Sequence, residues 1–495
     1  MIPNFSATSY DFTEYIPATN FIGGEWCEAS GTESLPVINP RWGKPMSSVR
    51  FSTAADVDTA VKAAQAAFQD WKQWPIRERA HVAYKAREIM HRDFEELSWL
   101  LSHENGKVIA QARAEVAKGI ECLENGCSLA NMAAGGKLEV SRGVDCEVRY
   151  EPLGVVAGVT PFNFPFMVPL WMLPQALVGG NAFILKPSEQ VPLSALKIAD
   201  IFQEAGLPDG ILNLVQGGRE VVEAMCDHPD IKAQGFVGST TVAKLVYGRS
   251  CNTGKRALCL GGAKNYLLVV PDADLEVTAS NVAASFTGCS GQRCMAAAVM
   301  VGIGDVDHII DEVARRTAAL KTGTDLGPII SEAAVERITG IIDQAEEMGA
   351  TILVDGRKVR PSEEGFWLGP TVIDHATTEM RAATEEIFGP VLTILRVDTL
   401  EEAIALENAI PYGNASSIYT TSGGIARRVM GEVDAGMCGV NIGVPVPREP
   451  FGFGGWNDSK FGHGDITGWD GFRFWTRPRK ITTKWALQRD ETWMG

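Results

Sequence analysis

The stretch "EPLGVVAGVTPFNFPFMVPLWMLPQALVGGNAFILKPSE", residues 151–189, holds no charged side chain between Pro152 and Leu185. A run of that length can span a bilayer, but its punctuation argues for a different fold. Pro161, Pro165, Pro169 and Pro174, with Gly179, Gly180 and Asn181, divide it into a strand (LGVVAGV, 153–159), a loop, a short buried helix and a second strand (AFIL, 182–185). Strand, crossover and strand are the repeating unit of a parallel α/β sheet, which takes its ligands at the carboxyl ends of its strands.

The same alternation continues on either side. ILNLV (211–215) and QGFVG (234–238) read as further strands, and LSALKIADIFQEAG (193–206) as a helix stopped by Gly206 and Pro208. Upstream, after Ser52 and Thr53, Val57, Val61, Ala64, Phe68 and Trp71 recur at helical spacing, and a second helix is predicted from about Glu78 to His103. A second α/β unit begins near YLLVV (266–270). It continues through AAVMVG (297–302), the helix DHIIDEVARRTAAL, the strand ATILV and the strand VLTILRV (391–397). DCEVRYEP (145–152) and RKITTKW (479–485) read as strands outside either sheet, placed as a subunit interface would be. The fold class expected is α/β.

Bulk properties narrow the function. A net charge of −16 over 495 residues argues against nucleic acid or an anionic membrane as partner and favours small-molecule chemistry. Ten cysteines without a CxxC pair, and seven histidines at no metal-ligand spacing, suggest neither a disulfide framework nor a metal site. The N-terminal MIPNFSATSYDFTEYIP lacks the basic and apolar regions of a secretory signal. A reducing cytoplasm is the expected location.

Five stretches carry candidate chemistry. TPFNFP (160–165) sets Asn163 directly after a strand, where its amide could donate to an oxyanion or serve as a turn residue. In KPSE (186–189), Lys186 and Glu189 could bind ribose hydroxyls, although Glu189 could equally favour a helix start. GFVGSTT (235–241) ends a strand at Gly238 and opens a helix at Ser239, which could hold a pyrophosphate or be a plain N-cap. SGQRCMA (290–296) contains Cys294 beside Arg293. A thiol needs little activation to act as a nucleophile, but Cys289, Cys259 and Cys438 compete with it on the same terms. In EEIFGP (385–390), Glu386 could bind a second ribose and Phe388 could pack on a nicotinamide.

Taken in order, TPFNFP, KPSE, FVGST, GGAKN, GQRC, EEIFGP and PYGNASS resemble the aldehyde dehydrogenase superfamily over nearly the whole chain. The resemblance implies two Rossmann-like α/β domains and a small β oligomerisation element. An NAD-binding domain would take residues 1–134 and 152–262, a catalytic domain 263–440, and the oligomerisation element 135–151 and 470–495, giving a homotetramer or homodimer. It implies Cys294 as nucleophile, with Asn163 and the Cys294 backbone N–H as oxyanion hole. To NAD it assigns Thr160, Phe162, Lys186, Glu189, Gly218, Phe236, Gly238, Ser239, Glu386 and Phe388.

One departure from the family pattern is informative. Where most of the family carries Glu-Leu-Gly-Gly-Lys, whose glutamate activates water, this chain reads LCLGGAKN (258–265), and the glutamate position falls on Leu260 or Cys259. Neither side chain is a base, so a thioester can wait for another nucleophile. With GGAKN, GQRCMA, PYGN and VNIGVPVPREPFGFGGWNDSKFGHGD, this resembles the coenzyme A-acylating branch, that of the methylmalonate-semialdehyde dehydrogenases. The implied reaction joins NAD reduction to acyl transfer onto coenzyme A, with decarboxylation. The two arginines expected near a substrate carboxylate correspond to Arg293 and Lys118, the latter a lysine that lacks the bidentate fork. Hydrolytic turnover with a base such as Glu385, and a catalytically silent structural or cofactor-binding protein, are the competing readings.

Overall fold

In the computed structural model, which describes residues 8–485, the charge-free stretch folds as its punctuation predicts. Val155–Val159 and Ala182–Lys186 pair in parallel, with Val155 opposite Ala182 and Val159 opposite Lys186. Between them Met167–Val178 is a helix of 12 residues, all buried, with Pro174 inside it. At 1.5 Å per residue it is about 18 Å long, short of a hydrocarbon core of about 30 Å. Among the described residues no helix is long and apolar enough to cross a membrane.

These strands belong to an eight-stranded sheet. Its five central strands are parallel, and Val155–Val159, the first of them in the chain, lies between Ala182–Lys186 and Ile231–Val237. Leu212–Leu214 extends one flank and Arg256–Leu260 the other, so the strand order reverses beside Val155–Val159. That reversal opens a crevice at the carboxyl ends of two neighbouring strands, between the loop after Val159 and the loop after Val237. Antiparallel strands extend both flanks: Asn20–Ile22 on Leu214 with Glu25–Cys27 outside it at one edge, and Lys460–Phe461 on Arg256–Leu260 at the other. Lys460–Phe461 comes from the stretch between 440 and 470 that the sequence assigned to no domain.

The second sheet has seven strands, with Asn265–Val269 between Ala297–Ile303 and Ala415–Tyr419, all three parallel. Its residues alternate between two cores: Leu267, Val269 and Met300 pack on one face, Tyr266, Leu268 and Val299 on the other. Burial on both faces explains why these segments read as continuous apolar runs. Thr351–Val354 is an exception to the parallel reading, since it pairs antiparallel with Thr371–Asp374 at the sheet edge.

Val144–Pro152 and Thr476–Lys484 pair with each other along their full length, Thr476 opposite Pro152 and Lys484 opposite Val144. Gly136–Ser141 completes this three-stranded ribbon and is exposed at every residue. The ends of two expected segments, residues 1–7 and 486–495, lie outside the described residues.

The helix expected over 78–103 is instead two helices, Ile76–Arg92 and Phe94–Asn105. Asp93 breaks them apart at φ −97°, ψ 17°, with its carboxylate taken up by Arg92 and facing Lys197. Ahead of them, Thr53 caps Ala54–Trp71 in a reciprocal capping box with Asp56, which fixes the helix start that the Ser-Thr pair suggested.

Candidate active site

The crevice at the reversal of the first sheet is a cavity of about 600 Å³. Thr160, Phe162, Lys186, Glu189, Gly218, Phe236, Gly238, Ser239, Glu386 and Phe388 all line it, together with Asn163 and Cys294. Lys186 is buried at the end of its strand, with Nζ 3.0 Å from Glu189 Oε2, and burial lowers its ammonium pKa below the usual range. The helix Thr240–Asn252 starts at this cavity without a side-chain cap from Ser239, so its first backbone N–H groups lack that partner. The Thr160 hydroxyl is likewise buried without a hydrogen-bond partner among the described residues.

A second cavity of about 350 Å³ approaches from the other side, lined by Lys118, Cys289, Arg293, Arg448 and Glu449 among others. Phe164, Trp171 and Cys294 line both cavities, so the two meet at the Cys294 thiol. The carboxyl ends of the first sheet thereby face the amino ends of the second, since Cys294 lies just before Ala297–Ile303. Its competitors are placed differently. Cys289 reaches only the second cavity, Cys259 is buried in the first core, and Cys438 is exposed on an edge strand, donating to Ala435 O.

The backbone around Cys294 is held from two directions. Asn265 Nδ2 donates to the carbonyls of Cys294 (2.8 Å) and Ala296 (2.9 Å), and Asn414 Nδ2 donates to Cys294 O at 3.1 Å. Gly291, at φ +70°, packs so tightly that a Cβ there would lie 1.9 Å from Gly389 O. Arg293 folds back over the end of the helix Leu275–Thr287, its Nε donating to Gly288 O at 2.8 Å. Opposite, Asn163 Nδ2 donates to Gln292 O at 3.2 Å, which places its amide against the cysteine loop.

Beneath Asn163 lies a support that sequence reading missed. Lys107 donates to Asn163 O and pairs with Glu115. The second oxygen of Glu115 accepts the Phe166 and Met167 N–H groups at 3.0 and 3.2 Å, and Asn105 Nδ2 donates to Phe162 O at 2.8 Å. The available signal was a carboxylate at position 115 in a helical stripe with Ala112, Val116, Gly119 and Ile120, all buried. Asn265 and Asn414 stood in the quoted GGAKN and PYGNASS motifs, but nothing in the chain showed that they converge on one carbonyl.

At the position of the missing carboxylate, both Cys259 and Leu260 are buried in the core of the first sheet, while Gly261 and Gly262 border the larger cavity. Glu385 pairs with Arg381 at 2.9 Å and lines neither cavity. The acid near the thiol is Glu386, whose Oε1 accepts the Ala263 N–H at 2.9 Å and whose carboxyl is pushed up to about 6 by burial. Burial, and then that carboxylate, push the Cys294 thiol up to about 12. In this form Cys294 holds its proton near neutral pH.

The sequence profile of the aldehyde dehydrogenase family matches residues 26–481. The chain belongs to the aldehyde dehydrogenase family. Malonate-semialdehyde dehydrogenase 1 of Geobacillus thermodenitrificans is 42% identical to this aldehyde dehydrogenase over 475 residues, covering 94% of this chain and 98% of its own. A solved methylmalonate-semialdehyde dehydrogenase from Oceanimonas doudoroffii superposes with a TM-score of 0.94 at 41% identity, covering 96% of this chain and 99% of that one. A Sinorhizobium meliloti protein provisionally named methylmalonate-semialdehyde dehydrogenase, solved with NAD, gives a TM-score of 0.94 at 38% identity, covering 97% and 100%. The two-sheet architecture of this aldehyde dehydrogenase is therefore that of its family.

Proposed function

We propose that this aldehyde dehydrogenase oxidises a short semialdehyde of the malonate or methylmalonate type with NAD and passes the acyl group, with decarboxylation, to coenzyme A through a thioester on Cys294. One observation carries the acylating part: the turn after Arg256–Leu260 brings no carboxylate to the thiol at the meeting point of the two cavities. NAD fits the larger cavity on grounds independent of the relatives. The Thr160 hydroxyl, without a partner among the described residues, and the uncapped start of Thr240–Asn252 offer donors for an anionic dinucleotide. Glu189, inside that cavity, would repel a 2′-phosphate and so favours NAD over NADP. The other cofactor contacts are those the resemblance implied.

The chemistry follows from the residues at the junction. Cys294 Sγ gives up its proton to solvent in the cavity and adds to the aldehyde carbon, and Asn163 Nδ2 and the Cys294 N–H donate hydrogen bonds to the oxyanion that forms. NAD, when bound, supplies the two-electron acceptor that turns this adduct into a thioester. Lys107 and Glu115 hold Asn163 in register throughout, and Asn265 and Asn414 hold the cysteine loop. With no carboxylate on the turn after Arg256–Leu260 to activate water, and with Glu386 assigned to the cofactor, the coenzyme A thiol attacks the thioester. Its sulfur–carbon bond forms as the Cys294–carbon bond breaks, and the proton of the coenzyme A thiol ends on the departing Cys294 sulfur. If the substrate carries a β-carboxylate, carbon dioxide can be lost at the thioester stage, because the thioester carbonyl delocalises the remaining electron pair as an enolate, which then takes a proton from water at its α-carbon. Lys118 and Arg293 are the proposed substrate cations, and both line the smaller cavity.

Residues 1–134 with 152–262, 263–440, and 135–151 with 470–495 are proposed as the NAD-binding, catalytic and oligomerising parts of a cytoplasmic homodimer or homotetramer. The fully exposed strand Gly136–Ser141 supports an interface there. The deciding experiment follows NADH formation from malonate and methylmalonate semialdehydes with and without coenzyme A and identifies the product. Sustained turnover to acyl-coenzyme A only when coenzyme A is present is expected. Equally fast turnover to the free acid without it sinks the acylating reading.

A further inference from the structure

The smaller cavity carries three cations, Lys118, Arg293 and Arg448. Arg293 is anchored by its Nε and Nη2 to carbonyls at the end of the helix Leu275–Thr287. Lys118, on the helix Ile109–Met132, donates to Glu121 Oε1 at 2.8 Å. The other oxygen of the same carboxylate lies 3.6 Å from Arg448 Nη1. One carboxylate thus holds a helix lysine and a loop arginine side by side at the cavity wall. Arg448 has no closer acidic partner among the described residues, and its side chain is 83% exposed. Glu449 beside it is turned toward the backbone, its Oε2 accepting the Gly468 N–H at 3.0 Å.

A lysine offers a point charge, whereas an arginine offers a planar fork matched to a carboxylate. Position 118 has the charge without the fork, and Arg448 supplies a fork next to it. Glu121 already demonstrates that the pair can share one carboxylate. We propose that Arg448 is a specificity-determining residue that, together with Lys118, holds the acid group of the semialdehyde in the smaller cavity. The inference rests on the semialdehyde reading above.

The test compares Arg448→Met and Arg448→Lys with the wild type, measuring the ratio of kcat/KM for malonate semialdehyde to kcat/KM for propanal. The loss of one charge-assisted contact should lower this ratio about 10–100-fold in Arg448→Met, with at least partial recovery in Arg448→Lys. A wild type that prefers the acid while Arg448→Met keeps the ratio within about twofold overturns this inference and leaves the semialdehyde reading standing. A wild type without preference for the acid overturns both. Thermal unfolding of the variants separates a lost contact from a lost fold, and a ratio measured on the folded fraction decides either way.

Discussion

Lys107 and Glu115 form an ion pair with side chains only 2% and 0% exposed, and the same ammonium donates to the backbone oxygen of Asn163. Removing one partner strands a buried charge, at a cost of about 3–5 kcal/mol. Glu115 also receives the first N–H groups of the helix Met167–Val178, so Glu115→Ala should destabilise more than Lys107→Met. Denaturant unfolding measures the first effect. The second expectation is a fall in kcat with either variant, because the oxyanion donor loses its support. A Glu115→Ala protein within about 1 kcal/mol of wild type, with full kcat, contradicts the account.

Asn163 and Cys294 should separate in their effects. Asn163→Ala is expected to lower kcat by about 10²–10³, the usual cost of one oxyanion-hole donor, with a smaller effect on KM. Cys294→Ala should abolish NADH formation, whereas Cys289→Ala, which alters only the wall of the smaller cavity, should retain it. Turnover by Cys294→Ala together with its loss in Cys289→Ala identifies the wrong thiol.

Substrate binding should depend on pH through Glu449. Burial raises its carboxyl to about 7, against the pull of Lys118 and the Gly468 N–H, while Glu121 raises it further. Cys122 and the Thr467 hydroxyl also face it, and Arg448 adjoins it in the chain. Below pH 7 Glu449 is largely neutral, and above it a negative charge competes for Lys118. KM for an acid-bearing aldehyde should therefore rise from pH 6 to pH 8, and Glu449→Gln should flatten that rise. The same slope in both proteins assigns the pH dependence elsewhere.

The features most legible in sequence were those set by local periodicity and punctuation. The apolar strands and the short helix between Asn163 and Ala182 followed from period and punctuation, whereas the full set of positions bordering the larger cavity came from the resemblance carried by the ordered motifs. Asp93 was not legible as a helix break, because the salt bridges that hold it come from Arg92 and from Lys197, about a hundred residues away. The same holds for Asn414 and Asn265, which lie 149 residues apart yet meet at 3.1 Å. The choice between Cys259 and Leu260 for the missing glutamate could not be made from spacing. Both belong to one buried core, so the absence of a carboxylate does not depend on it.

Stability should fall as pH rises across the near-neutral range, with Glu407 as one cause. This side chain is buried against Ser416, whose hydroxyl donates to it at 2.9 Å, and burial raises its carboxyl from 4.5 to about 8. The folded protein therefore keeps a proton that the unfolded chain releases. Its contribution is fully present below about pH 4.5 and is lost as pH climbs toward 8, by an amount on the order of a few kcal/mol. Glu407→Gln keeps an oxygen for Ser416 and has no proton to lose. Unfolding free energies at pH 5 and pH 8 should differ less in this variant than in wild type. Glu104, with its carboxyl raised to about 7 by burial, titrates in the same window in both proteins and cancels in the difference. An equal pH 5-to-8 loss in variant and wild type would show that Glu407 is ionised in the folded protein at neutral pH.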